Sequence, residues 1–171
     1  EKMLRHLRDE GYAERENRTV RVVGHGELLD AWAAKDRWSN RVTLRQYSIL
    51  TLDFDQLAER VLRLTPTTRV AFTQWFAAHQ RFPYTPPPVL SVYVSAFPDD
   101  SFLQDLQARP VSDGGRLWLI VPNDPGVFQQ VRLVRNLPLV ADPQIYLDLL
   151  SVGLRGPDQA KALRDWEGFC R

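Results

Sequence analysis

Apolar and polar positions along this chain switch between two periods. Over residues 2–9, Met3, Leu4 and Leu7 form one apolar face with Lys2, Arg5, Arg8 and Asp9 around it, the spacing of an amphipathic helix. Gly11 is placed to end that helix as the residue just beyond its last turn. Tyr12-Ala13-Glu14 starts a strand, Glu16-Asn17-Arg18 turns, and 19–23 alternates back, which predicts a hairpin. Gly24-His25-Gly26 reads as a hinge, and 27–37 as a helix through Leu28, Leu29, Trp32 and Ala33. Residues 42–52 alternate and are rich in β-branched and aromatic types, so they predict a strand or hairpin. Residues 53–64 return to the helical period, with Phe54, Leu57, Val61 and Leu64 inward.

The pattern then shortens. Residues 67–72 predict a buried strand, and 73–80 a helix with Thr73 as its N-cap. Residues 82–88 predict an extended, proline-rich connector. Strands are expected over 89–95, 116–121 and 127–134, with a helix over 99–108. Leu137, Leu139 and Val140 read as a strand end. Asp142 is expected to cap the next helix, with Pro143 at its first position, where a missing N–H costs nothing. Ile145, Leu149 and Val152 form its stripe, with Tyr146 and Leu150 beside them. Gly153 and Gly156 bracket Leu154-Arg155, and Pro157 opens a last helix carrying Ala160, Leu163, Trp166 and Phe169.

Strands and helices alternate over 41–171, which predicts an α/β (α+β) domain around a mixed sheet. The expected division is 1–24, a linker helix at 25–40, and 41–171. Composition changes this picture little: 44% hydrophobic and 25% charged residues are ordinary for a globular chain. The net charge is +1, with ten Lys/Arg against eight Asp/Glu in residues 1–48 and twelve against thirteen afterwards. That excludes a polycation without excluding a local basic face. Cys170 is the only cysteine, so an intrachain disulfide and a cysteine-built zinc site are excluded, which suits a reducing cytoplasm. No run approaches the roughly 18 apolar residues of a membrane span, so no membrane partner is expected. The chain starts at Glu1, already in a helical pattern, which reads as a fragment.

Helix, Glu-Gly-Tyr, then a two-stranded hairpin resembles the last third of a winged helix-turn-helix domain. The resemblance implies a recognition helix carrying Lys2, Arg5 and Arg8, and a wing whose Arg15, Arg18 and Arg21 meet DNA phosphates. The alternative is a solvated helix and hairpin, for which Glu1, Asp9, Glu10, Glu14 and Glu16 speak.

From residue 42 to 166 a second resemblance runs through "VAFTQWFAAHQ", the proline-rich connector, "SVYV", "ARPV", "LWLIVP" and "LPLVADPQIYLDLLSVGLRGPDQAKALR". This order is similar to that of the AbiEi family, the antitoxins of type IV toxin–antitoxin (abortive infection) systems. The resemblance implies a bacterial cytoplasmic autorepressor whose N-terminal winged helix binds operator DNA. Its C-terminal domain counteracts a nucleotidyltransferase-like toxin, acting on that toxin or on its substrate. The resemblance further implies that this domain is a degenerate nucleotidyltransferase. A working one needs a Gly-Ser turn after its first strand and carboxylates that hold Mg²⁺. Here the turn reads Phe72-Thr73-Gln74, and 89–95 contain no Asp or Glu. No catalysis, cofactor or metal is therefore expected. An active enzyme would need carboxylates such as Asp142 and Asp148 to converge, and a ligand-sensing DNA-binding regulator is the remaining alternative.

The interaction residues are expected in the last 30. Arg155 either grips a phosphate or carboxylate, or pins a helix corner by bonding Asp148 or helix-terminal carbonyls. Gln144 and Asp148, four apart, form a polar seam toward Arg155 or serve as capping and surface residues. The three histidines have no metal spacing, and no phosphate-binding glycine loop occurs. Trp75, Phe76, Phe82 and Tyr84 are core or an interaction surface, and Arg132 and Arg135 read as solvated charges.

Overall fold

A computed structural model of the chain describes residues 2–17, 19–51, 53–153 and 155–171. The chain forms two compact units, Glu1–Asp36 and Arg37–Arg171. No helix among the described residues is long and apolar enough to cross a membrane.

The first unit holds helix α1 (Lys2–Asp9), strands β1 (Ala13–Glu16) and β2 (Thr19–Val22), and helix α2 (His25–Lys35). Gly11 ends α1 at φ +77°. Its N–H donates to Arg8 O at 3.0 Å and the Tyr12 N–H to Leu7 O at 2.7 Å, the paired bonds that satisfy a helix's last carbonyls. β1 and β2 pair antiparallel with Glu14 opposite Arg21 and Arg15 opposite Val20. Helix α2 starts two residues earlier than the periodicity predicts and lies wholly within this unit. The stretch expected as one linker is therefore divided: its end, a 3₁₀ turn at Trp38–Asn40, belongs to the second unit.

The second unit is a mixed α/β domain. Its strands are β3 (Val42–Ser48), β4 (Val70–Thr73), β5 (Leu90–Val94), β6 (Arg109–Val111), β7 (Leu117–Pro122), β8 (Arg132–Val134) and β9 (Leu137–Leu139). They form one sheet in the order β6-β3-β7-β5-β4-β9-β8. The β5–β7 and β4–β9 pairs are parallel and the others antiparallel. All five residues of β5 are buried, Ser91 among them, so both faces of the sheet centre are covered. The helices are α3 (Phe54–Leu64), α4 (Gln74–Arg81), α5 (Asp100–Leu106), α6 (Asp142–Leu150) and α7 (Gly156–Asp165). Helices α4, α6 and α7 pack on one another, and α3 packs on α5. Asp53 and Asp99 cap α3 and α5, accepting the Gln56 and Phe102 N–H groups at 3.0 and 3.1 Å.

Two expectations about elements need correction, and one strand went unforeseen. The strand expected at 127–134 is a 3₁₀ turn (Pro125–Phe128) followed by the three-residue β8. Asp124 accepts the Gly126 N–H at 2.7 Å to start that turn, and Gln130, at φ +57°, interrupts an extended path. The strand over 42–52 ends at Ser48. Strand β6 went unpredicted because Arg-Pro-Val has no alternation to read. It lies at the sheet's edge, where a proline is tolerated.

Asp142 is not a cap. Ala141 holds the N-cap position of α6 without a side-chain bond, while Asp142 is buried and bound to α4. Arg81 Nε and Nη2 donate to its two oxygens at 2.7 and 2.8 Å, and the Cys170 N–H donates to Oδ2 at 2.8 Å. Arg81 also lies over the Trp166 ring at 4.9 Å and donates to Gly168 O at 3.2 Å. Trp166 stacks on Phe82 at 5.8 Å. One guanidinium thus joins α4, the start of α6 and the last turn of the chain. Nearby, the buried Gln159 side chain accepts the Thr85 N–H at 3.0 Å, which pins the proline-rich connector to α7. Of the aromatic cluster, Trp75 and Phe76 are core, Phe82 is half-buried and Tyr84 is exposed.

Candidate functional site

The first candidate surface is α1 with the hairpin. Every described residue of α1 is exposed except Leu7, which is half-buried. At 100° per residue Met3, Leu4 and Leu7 share one arc, Lys2 and Arg5 lie on the opposite one, and Arg8 flanks the apolar arc beside Leu4. Among the described residues, none of these three cations forms a salt bridge. The hairpin does not extend that basic face evenly. Neighbouring strand residues point to opposite sides, so the register puts Arg15 with Val20 on one side and Arg21 with Glu14 on the other. Arg21 lies 3.5 Å from Glu14 and 3.7 Å from Glu16, all well exposed. Arg15 and Arg21, both expected on the wing, therefore face opposite sides of the hairpin. Arg15 donates to Asn17 O at 3.2 Å, and Arg18 lies outside the described residues.

The second candidate is a polar cluster under the sheet's α4–α6 side. Asp148 sits at its centre with no exposure. Its Oδ1 accepts from Arg41 Nη2 at 3.1 Å and from Gln144 Nε2 at 2.8 Å. Its Oδ2 accepts the Thr73 hydroxyl at 2.6 Å. Burial pushes the Asp148 carboxyl above the usual carboxylate range, and the Thr73 bond, the Arg41 charge and the Gln144 bond oppose it. Thr73 therefore does not cap α4: its hydroxyl goes to Asp148, a charge-assisted bond stronger than a cap.

Tyr93 shares this face with Ser91, two residues away on β5. Its hydroxyl lies against Asp148 and the Trp38 indole without a bond of ordinary geometry to either. Burial first, and then the Asp148 charge, push its pKa far up, so the phenol keeps its proton. Gln74 occupies the left-handed region at φ +53° although it is fully buried, and its Oε1 accepts the Ser91 hydroxyl at 2.5 Å.

Sequence reasoning joined Gln144 and Asp148 correctly as neighbours on α6 and misplaced their third partner. Arg155 is exposed and makes no side-chain bond to Asp148. The cation on Asp148 is Arg41, 107 residues away in sequence. Arg155 itself carries the left-handed backbone, at φ +65°, and its carbonyl accepts the Gln159 N–H at 3.0 Å. The glycines beside it serve otherwise. A Cβ on Gly153 would meet open space, whereas one on Gly156 would come within 2.5 Å of Leu149 O and 2.8 Å of Val152 Cγ2. Gly156→Ala is accordingly expected to destabilise the domain by about 1–3 kcal/mol, since the α6–α7 corner must separate. Denaturant melts that coincide with those of Gly153→Ala would contradict this.

As a catalytic arrangement the cluster offers one carboxylate, already holding three donors. No group of three or more His, Cys, Asp or Glu side chains that could hold a metal occurs among the described residues. Asp142 and Asp148 are each bound to a separate arginine, Arg81 and Arg41. No family model, curated protein or solved structure matches the chain.

Proposed function

We propose that the chain is part of a DNA-binding transcriptional autorepressor and antitoxin of the AbiEi kind, acting in a bacterial cytoplasm against a nucleotidyltransferase-like toxin. The observation that carries the DNA half is α1, where Lys2 and Arg5 lie opposite an apolar arc and Arg8 flanks it, on a helix followed by a hairpin. Its charge is local, because residues 1–36 hold seven Lys/Arg against eight Asp/Glu. Binding therefore rests on α1 and Arg15 more than on net charge, and Arg21, bracketed by two glutamates, contributes least. The partners are operator DNA on this face, and the cognate toxin or its substrate on the second unit.

The non-catalytic reading of the second unit is supported by its donor set. Strand β5, on which the resemblance would expect carboxylates, carries Ser91 and Tyr93 and no Asp or Glu. Gln74 stands where the turn of a working nucleotidyltransferase needs glycine. The single Asp148 is held by Arg41, Thr73 and Gln144. These residues do not fit a bound magnesium ion.

The DNA half is tested by measuring operator affinity against salt with the full gene product. Four phosphate contacts, from Lys2, Arg5, Arg8 and Arg15, give a log–log slope of about −3 to −4. Arg5→Ala reduces its magnitude by about one, and Arg21→Ala leaves it nearly unchanged. A salt-independent complex would overturn the reading. Co-expression with the adjacent toxin gene tests the antitoxin half, which fails if growth is not rescued.

A further inference from the structure

In the second unit, helix α5, the start of β6 and the end of β3 enclose an open groove of about 850 Å³. Leu103, Ala108 and Pro110 give it apolar walls. Beside them β3 ends at Ser48, and Leu50, two residues on, lines the same groove while 84% exposed. Among the described residues no large apolar side chain is more exposed. A leucine scattered singly on a surface needs no explanation, but one that adjoins an apolar recess forms a patch with it. The patch is a knob beside a hole.

The charge pattern selects what covers it. The charged residues that line the groove are Asp100, at the start of α5, and Arg109, just beyond its end. Neither forms an ion pair among the described residues. One cation and one anion leave the groove without net charge, so it favours neither a polyanion nor a strongly acidic or basic peptide. It is complementary to itself. In a two-fold contact each residue meets its counterpart reciprocally. Asp100 of each copy then faces Arg109 of the other, and each Leu50 enters the opposite recess. Strand pairing does not make this contact, because Pro110 has no N–H to offer across the edge of β6. Side chains carry it, and it closes at two copies.

We infer that this groove is the interface of a homodimer of the chain. Its size sets the strength. Ten residues line the groove, against roughly 20–30 a side in a stable interface. The dimer is therefore weak and forms as concentration rises. The inference is independent of the DNA and antitoxin readings.

The test is sedimentation velocity on the full chain, over a series from micromolar to millimolar. A reversible monomer–dimer equilibrium is expected. Leu50→Asp should weaken it by about tenfold or more, the worth of an anchor side chain. The same variant should melt with the parent chain, because the side chain already stands in water. Asp100→Lys and Arg109→Glu should each abolish pairing alone. An equimolar mixture of those two variants should regain it, since the mixed pair restores opposite charges at both contacts. A chain that stays monomeric throughout the series would give the groove to a different protein and overturn the proposal. So would a dimer indifferent to Leu50→Asp, or a mixture no better associated than its components.

Discussion

Asp142→Ala is expected to lower the unfolding free energy by about 3–5 kcal/mol, the largest single effect anticipated for a side chain outside the apolar core. The reason lies in what remains. Arg81 is 13% exposed and donates through both arms of its fork to a carboxylate that is 2% exposed. Removing the acceptor leaves a guanidinium without its counter-charge in a desolvated position, and the Cys170 N–H without its bond. The Trp166 ring, held between Arg81 and Phe82, loosens with it. Asp142→Asn keeps an oxygen for one arm of the fork and should lose less. Arg81→Lys should lose nearly as much as Asp142→Ala, because an ammonium cannot reproduce the two parallel bonds. Urea melts of the four chains decide the matter. If Asp142→Ala costs under about 1 kcal/mol, the pair behaves as a surface ion pair and its role as a pin is wrong.

Asp148→Ala is the second large expectation, a loss of about 3 kcal/mol. That is the low end for a broken buried pair, since Arg41 keeps a quarter of its side chain in water. The Thr73 hydroxyl and the Gln144 amide lose their acceptor in the same step. Asp148→Asn preserves an oxygen for one of them and should cost only about 1–1.5 kcal/mol. The two variants also differ from the parent chain in pH dependence. Burial raises the Asp148 carboxyl in the folded state above its unfolded value. Below the unfolded value both states are protonated and the group contributes nothing. As pH rises from there through the raised folded value, the fold pays to ionise it, and the penalty is constant above. The parent chain therefore loses this part of its stability on going from acid toward neutral pH. Subtracting the Asp148→Asn stability curve should isolate that slope. A difference curve that rises with pH over the same window would mean that Arg41 outweighs burial.

Much of the fold was legible in the chain. The amphipathic stripe of α3 and Gly11 beyond α1 are local signals, and each acts over a few residues. What escaped was non-local or deliberately irregular. Arg41 and Asp148 meet across 107 positions, and Arg81 and Asp142 across 61; no spacing rule reaches that far. A weaker signal was present all the same. An aspartate inside the apolar run Ile145–Leu150, and a serine and tyrosine inside Leu90–Val94, are polar groups that burial forces to find partners. Read that way, they mark the cluster, although not its composition. The left-handed backbone at Gln74 gave no warning in the sequence, and at Arg155 the glycines nearby drew attention to themselves. Gly156 is required for close approach, not for its torsions.

The short outer strands of the sheet have a consequence for how the protein behaves in a crowded solution. Strand β6 at one edge is three residues long and contains Pro110, which has no N–H to offer a newcomer. Strand β8 at the other is also three residues long. It begins with a charged arginine and runs into the left-handed Arg135 and Asn136, which turn the chain away. A fully buried interior strand such as β5 would recruit other chains if it lay at a margin. Placing it at the centre, with three strands on either side and stubs at both margins that cannot template further growth, lets a strongly sheet-forming sequence resist runaway polymerisation.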